Sequence, residues 1–161
     1  LYLQQAKEPD GTHGRLYMKL GVAEILASIS KLNRRDQRLA ELQKHAGNSA
    51  LKTVLQGAFD PRIKWLLPEG VPPFKKNDLQ DAEGVFYAEC RKLYLFVQGG
   101  NDNLKPARRE ALFIQLLESL APADADLLCA IKDKKMPYKG INAQLVKEAF
   151  PGLLPDEQEQ K

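Results

Sequence analysis

Histidine, cysteine and tryptophan are scarce in this chain: two, two and one among 161 residues. Two histidines, His13 and His45, stand far apart with no cysteine, serine or aspartate spaced beside them as a metal set or a triad needs. Cys90 and Cys129 lack the Cys-x-x-Cys spacing and lie in apolar runs, so they read as buried free thiols in a reducing compartment rather than a disulfide framework. No glycine-rich stretch has the form of a phosphate-cradling loop. No apolar run is long enough to span a bilayer and no signal peptide is visible, so no membrane partner and a cytoplasmic setting are expected. Strictly alternating apolar and polar residues, the mark of a half-buried strand, are missing as well. These absences remove the chemistry that would make an enzyme, a resident metal or a cofactor a natural expectation; none is expected.

What is present is apolar periodicity at three and four. Hydrophobic residues make up 43% and charged residues 28%, a globular rather than a disordered composition. Met18–Leu32 reads as a first helix, with Leu20, Ile25 and Ile29 near one face. Arg35–His45 reads as a second, capped by Asn33 and ended by Gly47. Asn48 or Ser49 caps a third that stops before Asp60-Pro61. The stretch 61–77 holds four prolines and Gly70 and reads as a loop. Asp78 or Asp81 opens a helix through Val85, Phe86, Cys90, Leu93, Phe96 and Val97, closed by Gly99-Gly100. Asn103 caps a helix over Leu104–Leu120, Pro122 starts another, and Asn142–Phe150 forms the last. The expected fold is all-α: a compact single-domain bundle of about seven helices over residues 18–155. Residues 1–17 are set apart as a flexible segment of the kind a cloning scar leaves, and 156–161 as an acidic tail. The expected core is Leu51, Val54, Leu55, Val85, Phe86, Leu93, Phe96, Leu112, Phe113, Leu116, Leu117, Leu128, Ile131, Leu145, Val146 and Phe150.

Net charge is only +3, but it is unevenly placed. Basic residues gather at Lys31 to Arg38, Arg62 to Lys64, Lys75-Lys76, Lys105 to Arg109 and Lys132 to Lys139. Local basic patches under a modest net charge suit a protein with one basic face; they equally suit an ordinary solvated surface. The sharpest motif is Lys134-Lys135-Met136-Pro137-Tyr138-Lys139-Gly140-Ile141-Asn142. Lysines surround a proline-broken loop, followed by glycine and a helix-capping residue. Such a loop could grip a phosphate with backbone N–H groups and ammonium charges without reading bases. Its plainer reading is that Lys132, Lys134 and Lys135 complement the dipole of the helix before them. Lys105, Arg108 and Arg109 run the other way, standing at a helix start where the dipole favours anions, which is easier to understand if an anion meets them. Asp124 and Asp126 read as residues of a helix's first turn rather than a catalytic pair.

That motif, with the Phe150-Pro151-Gly152-Leu153-Leu154-Pro155 that follows, resembles the end of the N-terminal DNA-binding domain of ATP-dependent DNA ligases, especially the short ligases of T-even-like phages. The pattern there is Arg-Asp-Leu-x-x-Gly-x-Ser, a short helix, then an aromatic residue and Pro-Gly-Leu-Ile-Pro. Lys135 falls at the arginine, Gly140 at the glycine, Asn142 at the serine and Phe150-Pro151 at the aromatic-proline pair. Leu51 to Ile63 is similar to the domain's third helix and its turn, and Gly21 to Ser30 to its opening helix, so the likeness spans most of residues 21–155. The chain departs from the pattern where Lys135 replaces arginine and Met136-Pro137 replaces Asp-Leu. The nucleotide-carrying Lys-x-Asp-Gly of a ligase has no counterpart: Lys7-Glu8-Pro9-Asp10-Gly11 is one residue too long. The resemblance therefore implies a stand-alone helical module that binds double-stranded DNA without ligase activity, of the kind a bacteriophage accessory protein in the host cytoplasm would be. The candidate contacts of such a backbone binder, taking the basic loops together with the matched positions, are Lys134, Lys135, Lys139, Gly140 and Asn142, then Arg62 and Lys64, and Lys105, Arg108 and Arg109. The competing expectation is a helical protein–protein interaction module with replication, host or virion partners and no DNA binding. Its surface would be the proline-rich loop, where Trp65, Leu66, Leu67, Val71 and Phe74 either form a flap over the core or a partner patch.

Overall fold

A computed structural model describes residues 20–78 and 82–155. The chain is all-helical there: α1 (Val22–Ser30), α2 (Arg35–Gln43), α3 (Ser49–Phe59), α4 (Glu83–Glu89), a 3-10 helix (Cys90–Phe96), α5 (Pro106–Ser119), α6 (Pro122–Lys132) and α7 (Ala143–Ala149). The segment 1–17, Met18, Asp81 and the tail 156–161 lie outside the described residues. No described helix is long and apolar enough to cross a membrane.

α6 is the hub. It packs against α1, α3 and α5, while α2 lies on α1 and α7. A helix with several neighbours needs apolar side chains on more than one face, and α6 supplies them: Ala125, Leu127, Leu128, Cys129 and Ile131 are all buried. Around it close Leu26 and Ile29 of α1, Leu51, Val54 and Leu55 of α3, Phe113 and Leu117 of α5, and Leu145 and Val146 of α7. Phe96 meets Phe113 edge to face, ring centroids 5.3 Å apart. Of the core expected from sequence, only Val85 and Leu112 are partly buried; the rest is buried. Leu20 points the other way, 56% exposed, because α1 begins two residues after it.

Three helix starts fall where their capping residues put them. Asn48 Oδ1 accepts from Leu51 N (3.0 Å) and Asn142 Oδ1 from Leu145 N (2.9 Å), and Pro122 is the first residue of α6. α5 is a correction: it starts at Pro106, with Lys105 and not Asn103 as the cap. Proline's fixed φ suits a first helical position, so Pro106 outweighs the more common capping residue upstream. The run expected as one helix from Asp78 or Asp81 to Val97 is α4 followed by the 3-10 helix, starting after Ala82. Cys90, Leu93 and Phe96 recur every three residues, and three residues per turn puts them on one face.

The proline-rich loop is a flap. Trp65 packs on the core with Leu67 and Phe74, and its Nε1 donates to Gly57 O at 3.0 Å. A Cβ on Gly57 would stand 2.8 Å from the indole, so only glycine admits the ring this closely. Leu66 N donates to Phe96 O and Gln98 N to Lys64 O, both at 2.8 Å, tying the loop to the end of the 3-10 helix.

Candidate nucleic-acid interface

The Lys132–Asn142 segment begins in the last turn of α6. Lys134 N donates to Ile131 O and Lys135 N to Ala130 O, closing the helix in the paired pattern that usually places glycine in a left-handed residue. Here that residue is Lys134, at φ 61°. Left-handed backbone costs a side-chain-bearing residue on the order of 1 kcal/mol, and one contact offsets it: Lys134 Nζ donates to Asp60 O at 2.7 Å. Partial burial pushes the Lys134 ammonium's pKa down, against the pull of the Asp60 charge. Lys132 is not a surface cation. Its Nζ is buried and donates to Pro68 O and Asp133 Oδ1, each at 2.8 Å.

Asp60, at the end of α3, gathers a second cation. Its carboxylate accepts from Arg62 N, Nε and Nη2 at 2.9, 3.1 and 2.9 Å. Burial works to raise the Asp60 pKa, but the Arg62 hydrogen bonds and the charges of Arg62 and Lys134 outweigh it, and the pKa falls below the ordinary value. The loops 60–64 and 133–142, remote in sequence, are thus joined at one residue, Asp60, whose carboxylate holds Arg62 and whose backbone carbonyl holds Lys134. From Lys64 the connection continues through Gln98 N to the 97–104 turn, and Arg109 binds that turn to α5. Three of the five basic clusters expected from sequence, 62–64, 105–109 and 132–139, lie along one unbroken series of contacts.

Within it the side chains divide. Lys64, Lys105, Arg108, Lys135 and Lys139 are exposed, and none has a carboxylate within ion-pair distance among the described residues. Arg109 is a correction to the expected contacts. It is 5% exposed, and its guanidinium donates to Leu95 O, Asn101 O and Leu104 O at 3.0, 3.1 and 3.0 Å. Its Nε and Nη2 are spent on backbone carbonyls and the side chain is buried, so it is not placed as a phosphate contact. Asn142 is also engaged, capping its own helix. α7 has seven residues, too short a stack of peptide dipoles to be counted as an anion site by itself.

Gly140 has a structural reason of its own. It sits at φ 85°, and a Cβ there would stand 2.8 Å from Arg38 Nε. Arg38, on α2, donates from Nη1 to Leu32 O at 2.9 Å, while its buried Nε has no partner among the described residues. The loop is held on its other side by Ser30 Oγ, which donates to Lys139 O at 2.5 Å. Arg38 and Asp60 are the residues that sequence reading missed. A signal existed for Asp60, since Asp-Pro-Arg after a helix favours a side-chain turn; nothing local pairs Arg38 with Gly140.

Among the described residues no three histidine, cysteine, aspartate or glutamate side chains converge as metal ligands. No curated protein matches the chain. A family model does, over residues 25–138, from within α1 to the lysine-rich loop, and the chain belongs to that family, a family of unknown function (DUF6433).

Proposed function

We propose that the chain is a non-catalytic module that binds double-stranded DNA through the phosphate backbone with little sequence preference. The observation that carries this is the set of five exposed cations, Lys64, Lys105, Arg108, Lys135 and Lys139, without carboxylate partners among the described residues. They stand on loops and on the first turn of α5, segments that the fold joins end to end. Some other surface cations have partners, Arg34 with Asp36, Lys76 with Asp126 and Lys92 with Glu89. Lys31, Lys75 and Arg91 are exposed with no ion pair among the described residues, so it is the placement of the five on joined segments that sets them apart. Phosphates are suitable counterions for a row of lysines, and lysine, a flexible point charge, contacts them without selecting bases. The resemblance of the Lys135–Asn142 loop to ligase DNA-binding domains supports the same reading and suggests a phage accessory role. Arg109 leaves the list of contacts, Asn142 keeps only a structural role, and Arg62 and Lys134 contribute charge from the positions Asp60 gives them.

The test is a salt titration of binding to two unrelated DNA duplexes, to single-stranded DNA and to RNA. Each phosphate contact contributes about 0.9 to the slope of log affinity against log salt. Replacing Lys135 and Lys139 by alanine is expected to weaken both duplexes equally and reduce that slope by roughly 1–2. Stability should move by less than about 0.5 kcal/mol, since both side chains are exposed. No salt-dependent affinity of the parent chain at low ionic strength would end the DNA reading.

A further inference from the structure

The underside of the proline-rich flap is of the opposite character. Between the flap and α5 runs a groove of about 360 Å³, at the small end of the sizes that take a ligand-sized group. Leu67, Phe113 and Ile114 line it and Val71 stands on its edge, 70% exposed. Two carboxylates complete the wall, Glu69 from the flap and Glu110 from α5. Both are exposed, and neither has a cation within ion-pair distance among the described residues. Lys132 also borders the groove, but its ammonium is buried and committed to Asp133 and Pro68, so it does not offset them. Asp133 in turn is spent on Lys132 and on Gly70 N (3.1 Å), which fixes the flap's edge in place. An apolar slot held open by a pinned loop and rimmed by two unpaired carboxylates, on a chain of net charge +3, repels nucleic acid.

We propose that this groove is a docking site for a partner protein, which inserts one bulky apolar side chain flanked by lysine or arginine. The apolar anchor fills the slot between Leu67, Phe113 and Ile114, and the flanking cations meet Glu69 and Glu110. Apolar insertion supplies affinity and the rim charges supply selection and encounter rate. The groove is separate from the exposed lysines of the DNA reading and stands whether or not that reading does.

The full chain, isotope-labelled for NMR, is titrated with two synthetic peptides. One has a tryptophan and leucines between lysines; the other carries glutamate at every lysine position. The lysine peptide is expected to saturate, shifting the amides of Gly70, Val71 and Ile114, with the glutamate peptide at least about tenfold weaker. Replacing both carboxylates (E69K, E110K), on exposed positions that leave the fold intact, is expected to weaken the lysine peptide by about tenfold. Equal affinity for the two peptides, shifts centred elsewhere or no saturable binding would overturn the proposal. So would duplex DNA shifting the groove amides, or self-association that buries them and gives the groove to a second copy of this chain.

Discussion

Arg108 and Arg109 are neighbours in sequence with unrelated positions in the fold. Arg108 lies in water at the start of α5, with no carboxylate partner among the described residues; Arg109 is buried and spans Leu95 O, Asn101 O and Leu104 O. The same division separates Lys132, buried on Asp133 and Pro68, from Lys135 in solvent. Helix phase decides the first case. Arg109 shares the stripe of Phe113, Leu116 and Leu117, whereas Arg108 is turned a further hundred degrees or so about the axis. Carbonyls decide what happens next. A 3-10 helix and the turn after it leave acceptors unpaired, and an arginine reaching them satisfies several at once. A run of cations in a sequence is therefore two populations, one that builds the protein and one that is free to meet something else.

The strongest way to break the comparison is to remove what both populations rest on. Phe113 and Phe96 are 2% and 1% exposed and pack edge to face. Replacing either with alanine is expected to cost about 3–5 kcal/mol in chemical denaturation. At that loss the buried and exposed cations should become equally accessible in the surviving ensemble.

Next comes the arginine pair itself. Arg109→Ala leaves three carbonyls without their donor and should cost about 3 kcal/mol. Arg108→Ala should cost nothing, its only expected effect being a small gain of no more than about 1 kcal/mol. Lysine at 109 is the informative intermediate, since a single ammonium cannot reproduce a fork spread over three acceptors. Equal losses at 108 and 109 by urea denaturation would refute the division.

Buried carboxylates show the same contrast. The Asp60 carboxylate accepts three hydrogen bonds from Arg62 and feels the Lys134 charge, and its pKa is lowered. Asp124 is 3% exposed; its Oδ1 accepts from Ala23 N at 2.9 Å, but its Oδ2 has no partner among the described residues. Burial, reinforced by the Glu83 and Glu24 charges against the Ala23 hydrogen bond, raises its pKa from 3.8 to about 6. The pKa of Tyr138 is also raised, by burial and by the Asp124 and Asp126 charges. The sign follows from proton binding. Between 3.8 and about 6 the folded chain holds a proton that the unfolded chain has released, so stability falls as pH rises through that window and does not recover above it. At about 1.4 kcal/mol per unit the full loss is roughly 3 kcal/mol. Asp124→Asn keeps the acceptor for Ala23 N without the charge, and is expected to stabilise the protein by about 2 kcal/mol near about pH 7. The gain should vanish near about pH 4 in a denaturation series over pH. A gain independent of pH would show that the carboxylate's charge is not its cause.

How much of this was legible follows from how local each determinant is. α3, α6 and α7 were readable because Asn48, Pro122 and Asn142 act within their own first turn. The apolar spacing marked nearly the whole core, since inward-facing residues recur whatever they face. The change to 3-10 geometry was present in the three-residue spacing of Cys90, Leu93 and Phe96, though an α-helical stripe tolerates the same intervals over two turns. The site was less legible. Arg109 and Lys132 are identical in type to their exposed neighbours, and their fate depends on carbonyls from other elements. Gly140 read as an anion contact, whereas its neighbour Arg38 arrives from α2, beyond any local pattern.

The smallest effect is the most discriminating, because its sign reverses between two measurements. Lys105 caps α5 and Arg108 lies in its first turn, where no acidic residue stands and the helix dipole opposes positive charge. Replacing each with alanine should raise stability by about 0.3–1 kcal/mol per charge at low ionic strength, with the gain shrinking as salt is added. If these side chains hold phosphates, the same substitutions should weaken duplex-DNA binding and reduce its salt slope by about 0.9 per lost contact. A more stable protein that binds DNA less well is what cations maintained against the dipole for a ligand would give. A more stable protein with unchanged DNA affinity would leave Lys105 and Arg108 as ordinary surface charge and confine the DNA contacts to the Lys64 and Lys135–Lys139 loops.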